Sequence, residues 1–281
     1  MLLDDVRVVT IALNLPGPAA CSRLRDLGAT VVKVEPPGGD PLETYAAGWY
    51  HELHQGIAIH RLDLKQEADR RRFDGLLAGA DLLVTAQRPS ALARLGLDAS
   101  VGERHPRLCM LRITGHAAPQ DEQPGHDLTY LAMHGLVAPG ILPPTLFADM
   151  AGAERAATTA LALLHSRNRT GTGTHADVAL EDAAEWLARP RRHGLTGDGA
   201  LLGGQLAGYN LYAAQDGWIA VAALEPHFAQ RLAAAFGVAS LESGALAARF
   251  ATESALHWER WAREHDVPIV ALRNSPTQDP S

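Results

Sequence analysis

VRVVTIALNLPGPAACSRLRDLGATVVKV, residues 6–34, decides the fold class. Val6–Leu13 is a β-branched apolar run of strand length. Pro18–Leu27 places Ala19, Leu24 and Leu27 on one helical side, and Gly28 ends that helix. Thr30–Val34 is a second apolar strand. Strand, helix and strand within about 30 residues have the size of a βαβ crossover. The alternation recurs downstream. Gln66–Leu77 reads as a charged amphipathic helix, Asp81–Thr85 as a buried strand, Ser90–Leu95 as a short helix and Leu108–Thr114 as another strand. Gly152–Ser166 is the clearest helix, Ala176–Leu180 a further strand and Glu181–Leu187 a helix. Such alternation predicts an α/β fold, a Rossmann-like large domain with a mostly parallel sheet covered by helices.

The texture changes past residue 188. Residues 189–208, rich in Arg, Gly and Leu, read as a linker. Asn210–Ala213, a turn at Gln215-Asp216-Gly217 and Trp218–Ala223 then read as a hairpin. Pro226–Phe236 and Glu253–Glu264 read as helices. The expected organisation is a large domain over 1–188, the linker, and a small α+β domain over 209–281. The tail SPTQDPS reads as frayed.

The composition narrows the function classes. The 281 residues carry a net charge of −7, with 47% hydrophobic and 20% charged residues, so nucleic acid and anionic membranes are not expected partners. The apolar run near the N-terminus is too short and too acidic at its start for a signal peptide, and no stretch is apolar for the roughly 20 residues of a membrane span. Two cysteines, Cys21 and Cys109, form no disulfide framework and fit a reducing compartment. A cytoplasmic location is the expectation.

Several motifs are missing. The loop NLPGPAAC after the first strand holds one glycine, so the Gly-x-Gly-x-x-Gly dinucleotide fingerprint is absent. Gly171-Thr172-Gly173 follows a helix and reads as a turn. No phosphate-loop lysine motif or Gly-x-Ser-x-Gly elbow occurs. Among the thirteen histidines, His51 with His54 and His126 with His134 lack the HExxH arrangement, and no metal site is expected. What remains are polar groups set in apolar surroundings. His126 follows Pro124-Gly125 and precedes Leu128, Tyr130 and Leu131, all read as buried. Asp149 lies between Phe147 and Met150, ahead of a helix. Glu225 lies between a strand and a helix. Each has a plainer reading as a core histidine, a helix cap or a solvated loop residue.

Segments in order along nearly the whole chain carry a resemblance: LPGPAACSRLRDLGATVVKVEPPGGDP, RLDLK, ADLLVTAQRPSALARLGL, HPRLCMLRITG, PGHDLTY, ADMAG, RTGTGTHADVALEDA and YAAQDGWIAVAALEPHF. Together they resemble the family III CoA-transferases, the group of carnitine-CoA and formyl-CoA transferases and α-methylacyl-CoA racemases. The resemblance implies an acyl-CoA substrate, with coenzyme A entering as part of the substrate and no permanently bound cofactor. It also implies a homodimer, interlocked in the family, with the site where one large domain meets the partner's small domain. Asp149 matches the aspartate that forms an aspartyl-CoA thioester in the transferases. His126 matches the histidine that exchanges an α-proton in the racemases, and Glu225 the glutamate that supports it. Racemase-like proton transfer on a 2-methylacyl-CoA thioester is placed slightly ahead. CoA transfer to a free carboxylic acid through Asp149 is the alternative, and a non-catalytic binding module is the third reading. The resemblance assigns coenzyme A contacts to Leu62, Asp63, Leu64, Lys65, Ala86, Gln87, Arg88, Arg94, Gly125, Asp127 and Tyr130. Two basic positions of the pattern are absent: Pro36 follows the Val-Glu pair, and the segment before the third strand reads HQGIAIH. The family's C-terminal return segment beyond DVPIVAL is also read as missing.

Overall fold

The structure, a computed structural model, describes residues 1–98 and 100–273. It divides into two compact units, the first ending at Ala188 and the second beginning at Arg189.

The first unit runs β1 (Arg7–Thr10), α1 (Pro16–Asp26), β2 (Thr30–Glu35), α2 (Pro41–Tyr45), α3 (Ala47–Leu53), β3 (Ala58–Arg61), α4 (Glu67–Ala78), β4 (Leu82–Thr85), α5 (Pro89–Arg94), α6 (Ser100–Arg104), β5 (Cys109–Thr114), α7 (Asp127–Met133), α8 (Phe147–Thr170) and β6 (His175–Ala179), with α9 (Leu180–Arg192) reaching the boundary. Six parallel strands form one sheet in the order β3-β2-β1-β4-β5-β6. The order reverses between β1 and β4. In open parallel sheets, ligands bind beyond the carboxyl ends of the strands at such a switch point.

Burial explains the sheet. Every residue of β4 is buried, as a strand covered on both faces requires. On one face the core joins β1, β4 and β5 to α1 and α8 through Val8, Leu82, Leu111, Leu24, Ala156 and Ala160. On the other face Val9, Leu83 and Met110 pack on Phe73, Leu77 and Leu92 of α4 and α5. The buried stripe of α8 is mostly alanine, which lets the 24-residue helix lie close to α1. Arg23 of α1 and Glu154 of α8 pair at 2.8 Å along that contact, where both side chains are exposed.

The second unit carries a turn over Leu201–Gln205, then β7 (Tyr209–Ala214), β8 (Gly217–Ala222), α10 (Pro226–Phe236), α11 (Ser243–Phe250), α12 (Ala255–His265) and β9 (Ile269–Ala271). The strands form an antiparallel sheet β7-β8-β9. Tyr212, Ile219, Val221, Leu232, Phe250 and Trp258 build its core. The Trp258 indole N–H donates to the Phe250 carbonyl at 2.7 Å.

Several expectations are corrected. The long helix begins at Phe147 instead of Gly152, so Asp149 lies inside its first turn. Within residues 189–208, read as a linker, α9 continues to Arg192 and the 201–205 turn is held by its own backbone. There a side chain at Gly203 would sit 1.5 Å from the Gly197 carbonyl oxygen, so this glycine serves packing within the loop. The reading of SPTQDPS lies outside the described residues. Among the described residues, no helix is long and apolar enough to cross a membrane.

Candidate active site

At the carboxyl ends of β1 to β4 lies a cavity of about 180 Å³. Its apolar wall includes Ile11 and Leu13 after β1 and Leu62 and Leu64 after β3. Five of the residues assigned to coenzyme A come together here: Leu62, Asp63, Leu64, Lys65 and Gln87. Leu62 is buried in the core, and Asp63 accepts the Lys65 backbone N–H at 3.1 Å, which fixes the turn into α4. The Gln87 amide donates to the Ile11 carbonyl at 2.7 Å and so bridges the two strands that flank the switch point. Ala86 packs against the core, whereas Arg88 and Arg94 are exposed at the two ends of α5.

The second half of the site is built by α7 and the first turn of α8. A helix turns residues three apart to one side. Asp127 and Tyr130 therefore both point inward, at 4% and 1% exposure, while His126 and Leu128 face out. Leu128, at 43% exposure, corrects the expectation that it is buried. His126 is the N-cap of α7. The Thr129 hydroxyl accepts its backbone N–H at 3.1 Å and donates to its carbonyl at 2.7 Å. The group that reaches Asp149 is Asp127: its carboxylate accepts the Asp149 backbone N–H at 3.0 Å. Leu146, the N-cap of α8, supplies no side-chain cap, so Asp127 satisfies this free N–H from another helix.

Burial, and then the Asp127 charge, push the Asp149 carboxyl up from 3.8 to about 7. A helix N-terminus alone favours the ionised form; here desolvation and a like charge outweigh it. Tyr130 is pushed up to about 12, first by burial and then by the Asp149 and Glu181 charges, with Arg88 opposing. Arg88, Tyr130 and Asp149 thus share one electrostatic neighbourhood.

Gly125 makes room for the Tyr130 ring. A Cβ there would stand 2.4 Å from the Tyr130 ring, and one on Gly115 2.4 Å from its hydroxyl. The two glycines form the slot that admits the ring. Gly125→Ala is expected to destabilise the fold by about 1–3 kcal/mol, read from urea unfolding.

A second polar group was not legible beforehand. Glu181 at the start of α9 accepts from His116 Nδ1 and from His134 Nε2, each at 3.1 Å. The His116 ring stands edge-on to Tyr130, with centroids 5.2 Å apart. The three residues come from the loop after β5, the end of α7 and the start of α9, so no sequence spacing marks them.

Glu35, Asp40 and His54 place potential metal ligands within 4.8 Å of one another. Lys33 already fills that position. Its ammonium, 1% exposed, meets Asp40 in a short contact, His54 Nε2 at 2.8 Å and Glu35 Oε1 at 3.1 Å. His54 Nδ1 donates to the Tyr50 carbonyl at 2.6 Å, which leaves Nε2 to accept from Lys33. Burial holds the His54 imidazolium pKa below its usual value, in keeping with a neutral ring.

Glu225 stands at the N-cap of α10 in the second unit, exposed, with no side-chain cap bond.

Replacing Asp127 by Asn keeps an acceptor for the Asp149 N–H and removes the charge. The Asp149 carboxyl is then expected to titrate below about 7, though burial, the larger cause, keeps it above the usual carboxylate range. A ¹³C NMR titration of labelled aspartate measures this. Asp127→Ala also removes the cap, a loss of about 1 kcal/mol in stability.

The model of CoA-transferase family III matches residues 3–276. A probable fatty acyl-CoA transferase of Mycobacterium tuberculosis, Rv3272, is 32% identical over 66% of this chain and 52% of its own length. The succinyl-CoA–D-citramalate CoA-transferase of Chloroflexus aurantiacus is 31% identical over 90% of this chain and 68% of its own. The chain thus spans between about half and two thirds of these two relatives. The crystal structure of Rv3272 superposes with a TM-score of 0.83 at 26% identity, covering 97% of this chain and 85% of that one.

Proposed function

The chain belongs to CoA-transferase family III, and from that premise we propose that it moves coenzyme A from an acyl-CoA thioester to a free carboxylic acid, with Asp149 as the covalent carrier. One observation carries the choice of Asp149: it is a half-buried carboxylate in the first turn of α8, its backbone held by Asp127. A carboxyl raised to about 7 is still substantially ionised at neutral pH, and it is more basic than an ordinary aspartate. Both properties serve a nucleophile.

In the proposed sequence, an Asp149 oxygen adds to the thioester carbonyl carbon, and the carbon–sulfur bond breaks. The products are a mixed anhydride and CoA thiolate. The thiolate attacks the Asp149 carbonyl and expels the first carboxylate, leaving an aspartyl-CoA thioester. The incoming acid repeats both steps in reverse order, and Asp149 is regenerated. The cavity at the switch point holds the nucleotide end of coenzyme A, and Arg88 and Tyr130 lie toward the thioester end. The relatives named above carry transferase names, which moves the weight from the racemase reading to this one.

Racemase chemistry is retained as a second reading on a specific ground. A two-base proton exchange needs Asp149 protonated in one direction, and a carboxyl near 7 meets that need. Incubation with a 2-methylacyl-CoA and a panel of carboxylic acids in heavy water separates the two. New thioesters without α-deuterium support transfer. Deuterium at the α-carbon with no new thioester supports proton exchange and refutes transfer.

A further inference from the structure

Asp127 and Asp149 are the charged ends of an otherwise uncharged stretch. Residues 128–148, LTYLAMHGLVAPGILPPTLFA, hold no aspartate, glutamate, lysine or arginine, in a chain of which 20% is charged. His134, the histidine among them, is bonded to Glu181. The ends of the stretch meet where the Asp127 carboxylate accepts the Asp149 N–H at 3.0 Å, so the segment forms a closed loop. Leu136 and Val137 pack on the core, and the Ile141 N–H donates to the Ala138 carbonyl at 3.2 Å. The outer side chains are apolar and open: Leu128, Ile141, Leu142, Leu146 and Phe147 are 42–75% exposed. Large apolar side chains gathered on one exposed segment mark a surface that takes a ligand or a partner.

What lies at the base of the loop says what the occupant is. Asp149 is there, flanked along the cap and first turn of α8 by Leu146, Phe147 and Met150, all exposed. An acyl group carried on the Asp149 carboxylate starts among these side chains. The charge that acts on Asp149 is that of Asp127, an acid. Arg88, whose field reaches Tyr130, stands at the N-cap of α5, outside the loop. A second carboxylate on the acyl group would enter an uncharged surround beside two acids, where its lost hydration is not compensated. An alkyl or aryl tail meets no such cost and gains from leaving water.

We infer that the 128–148 loop seats the acyl tail, and that the chain takes monocarboxylic acids with uncharged alkyl or aryl tails in preference to dicarboxylic acids. The inference rests on the transfer reading with Asp149 as carrier and names the substrate class of that site. Leu146, beside the turn that bears Asp149, and Leu142, earlier in the loop, are the specificity-determining residues.

Competition between hexanoate and adipate on the full chain tests it. CoA is supplied by butyryl-CoA and, in parallel, by succinyl-CoA, and the new thioesters are separated by liquid chromatography and mass spectrometry. Hexanoyl-CoA is expected to form faster than adipoyl-CoA by roughly tenfold or more, since the site covers one tail and leaves the charge of the other unpaired. Leu146→Arg and Leu142→Arg each supply a cation at an exposed position, and each is expected to move the ratio toward adipate. Equal or faster use of adipate by the unaltered chain overturns the inference and leaves the transfer reading standing. A hexanoate preference that neither variant moves overturns it as well; the loop then covers something other than the tail, and altered sedimentation of the variants identifies that as a second copy of the chain. No new thioester from either acid overturns the transfer reading and the inference with it.

Discussion

Asp149→Asn is expected to abolish CoA transfer and, at the same time, to stabilise the fold above neutral pH. The activity loss is expected to reach at least about a thousandfold, since an amide cannot carry the acyl group or the CoA. The gain in stability follows from linkage. Asp149 titrates at about 7 in the folded chain against an ordinary 3.8. Between those values the unfolded chain has released its proton and the folded chain still holds it. Stability contributed by this group is therefore present below pH 3.8 and lost as the pH rises to about 7. Each pH step of one between those values costs about 1.4 kcal/mol, so the loss is on the order of 2–4 kcal/mol for a half-buried group. Asparagine does not ionise and escapes it. Urea unfolding at pH 4 and pH 8 should show the two proteins close together at the lower pH and the variant ahead at the higher. An active variant would remove Asp149 from the mechanism; an equally stable one at pH 8 would remove the strain ascribed to its burial.

Lys33→Met carries the largest expected destabilisation. The ammonium offers three protons and meets three acceptors: Asp40, His54 Nε2 and Glu35 Oε1. Removing the cation leaves two carboxylates buried against each other, a loss of about 3–5 kcal/mol. The damage should spread to the cavity. Asp40 also accepts the backbone N–H groups of Asn14 and Leu42, each at 2.9 Å, so it ties the turn after β2 to the loop after β1. The deficit should shrink as the pH falls, because a protonated carboxyl can be buried without a counter-charge. Urea unfolding at pH 7.5 and pH 5 measures both effects. A deficit that does not change with pH would mean the loss comes from packing and not from charge.

How much of this was readable in the sequence depends on how each feature is encoded. Strands buried on both faces, such as TVVKV and LLVT, read directly as apolar runs. AIHR of β3 lies at the sheet edge and is mostly exposed, so its apolar signal is weak. The three residues of β9 and the seven of α7 are too short for periodicity to act on. Family resemblance assigned coenzyme A contacts to the segment from Leu62 to Lys65, and these residues line one cavity. It drew attention to His126 for its chemistry, whereas helix geometry turns the next residue, Asp127, toward Asp149. His116, His134 and Glu181 meet only through tertiary packing.

The claim on which the rest depends is that the Asp149 carboxyl becomes covalently loaded during turnover. Incubation with an acyl-CoA, quenching with hydroxylamine and tandem mass spectrometry of the digested chain test it most directly. A hydroxamate on Asp149, absent when acyl-CoA is omitted, is the predicted result. Thioester exchange that proceeds with Asp149 unmodified would contradict it.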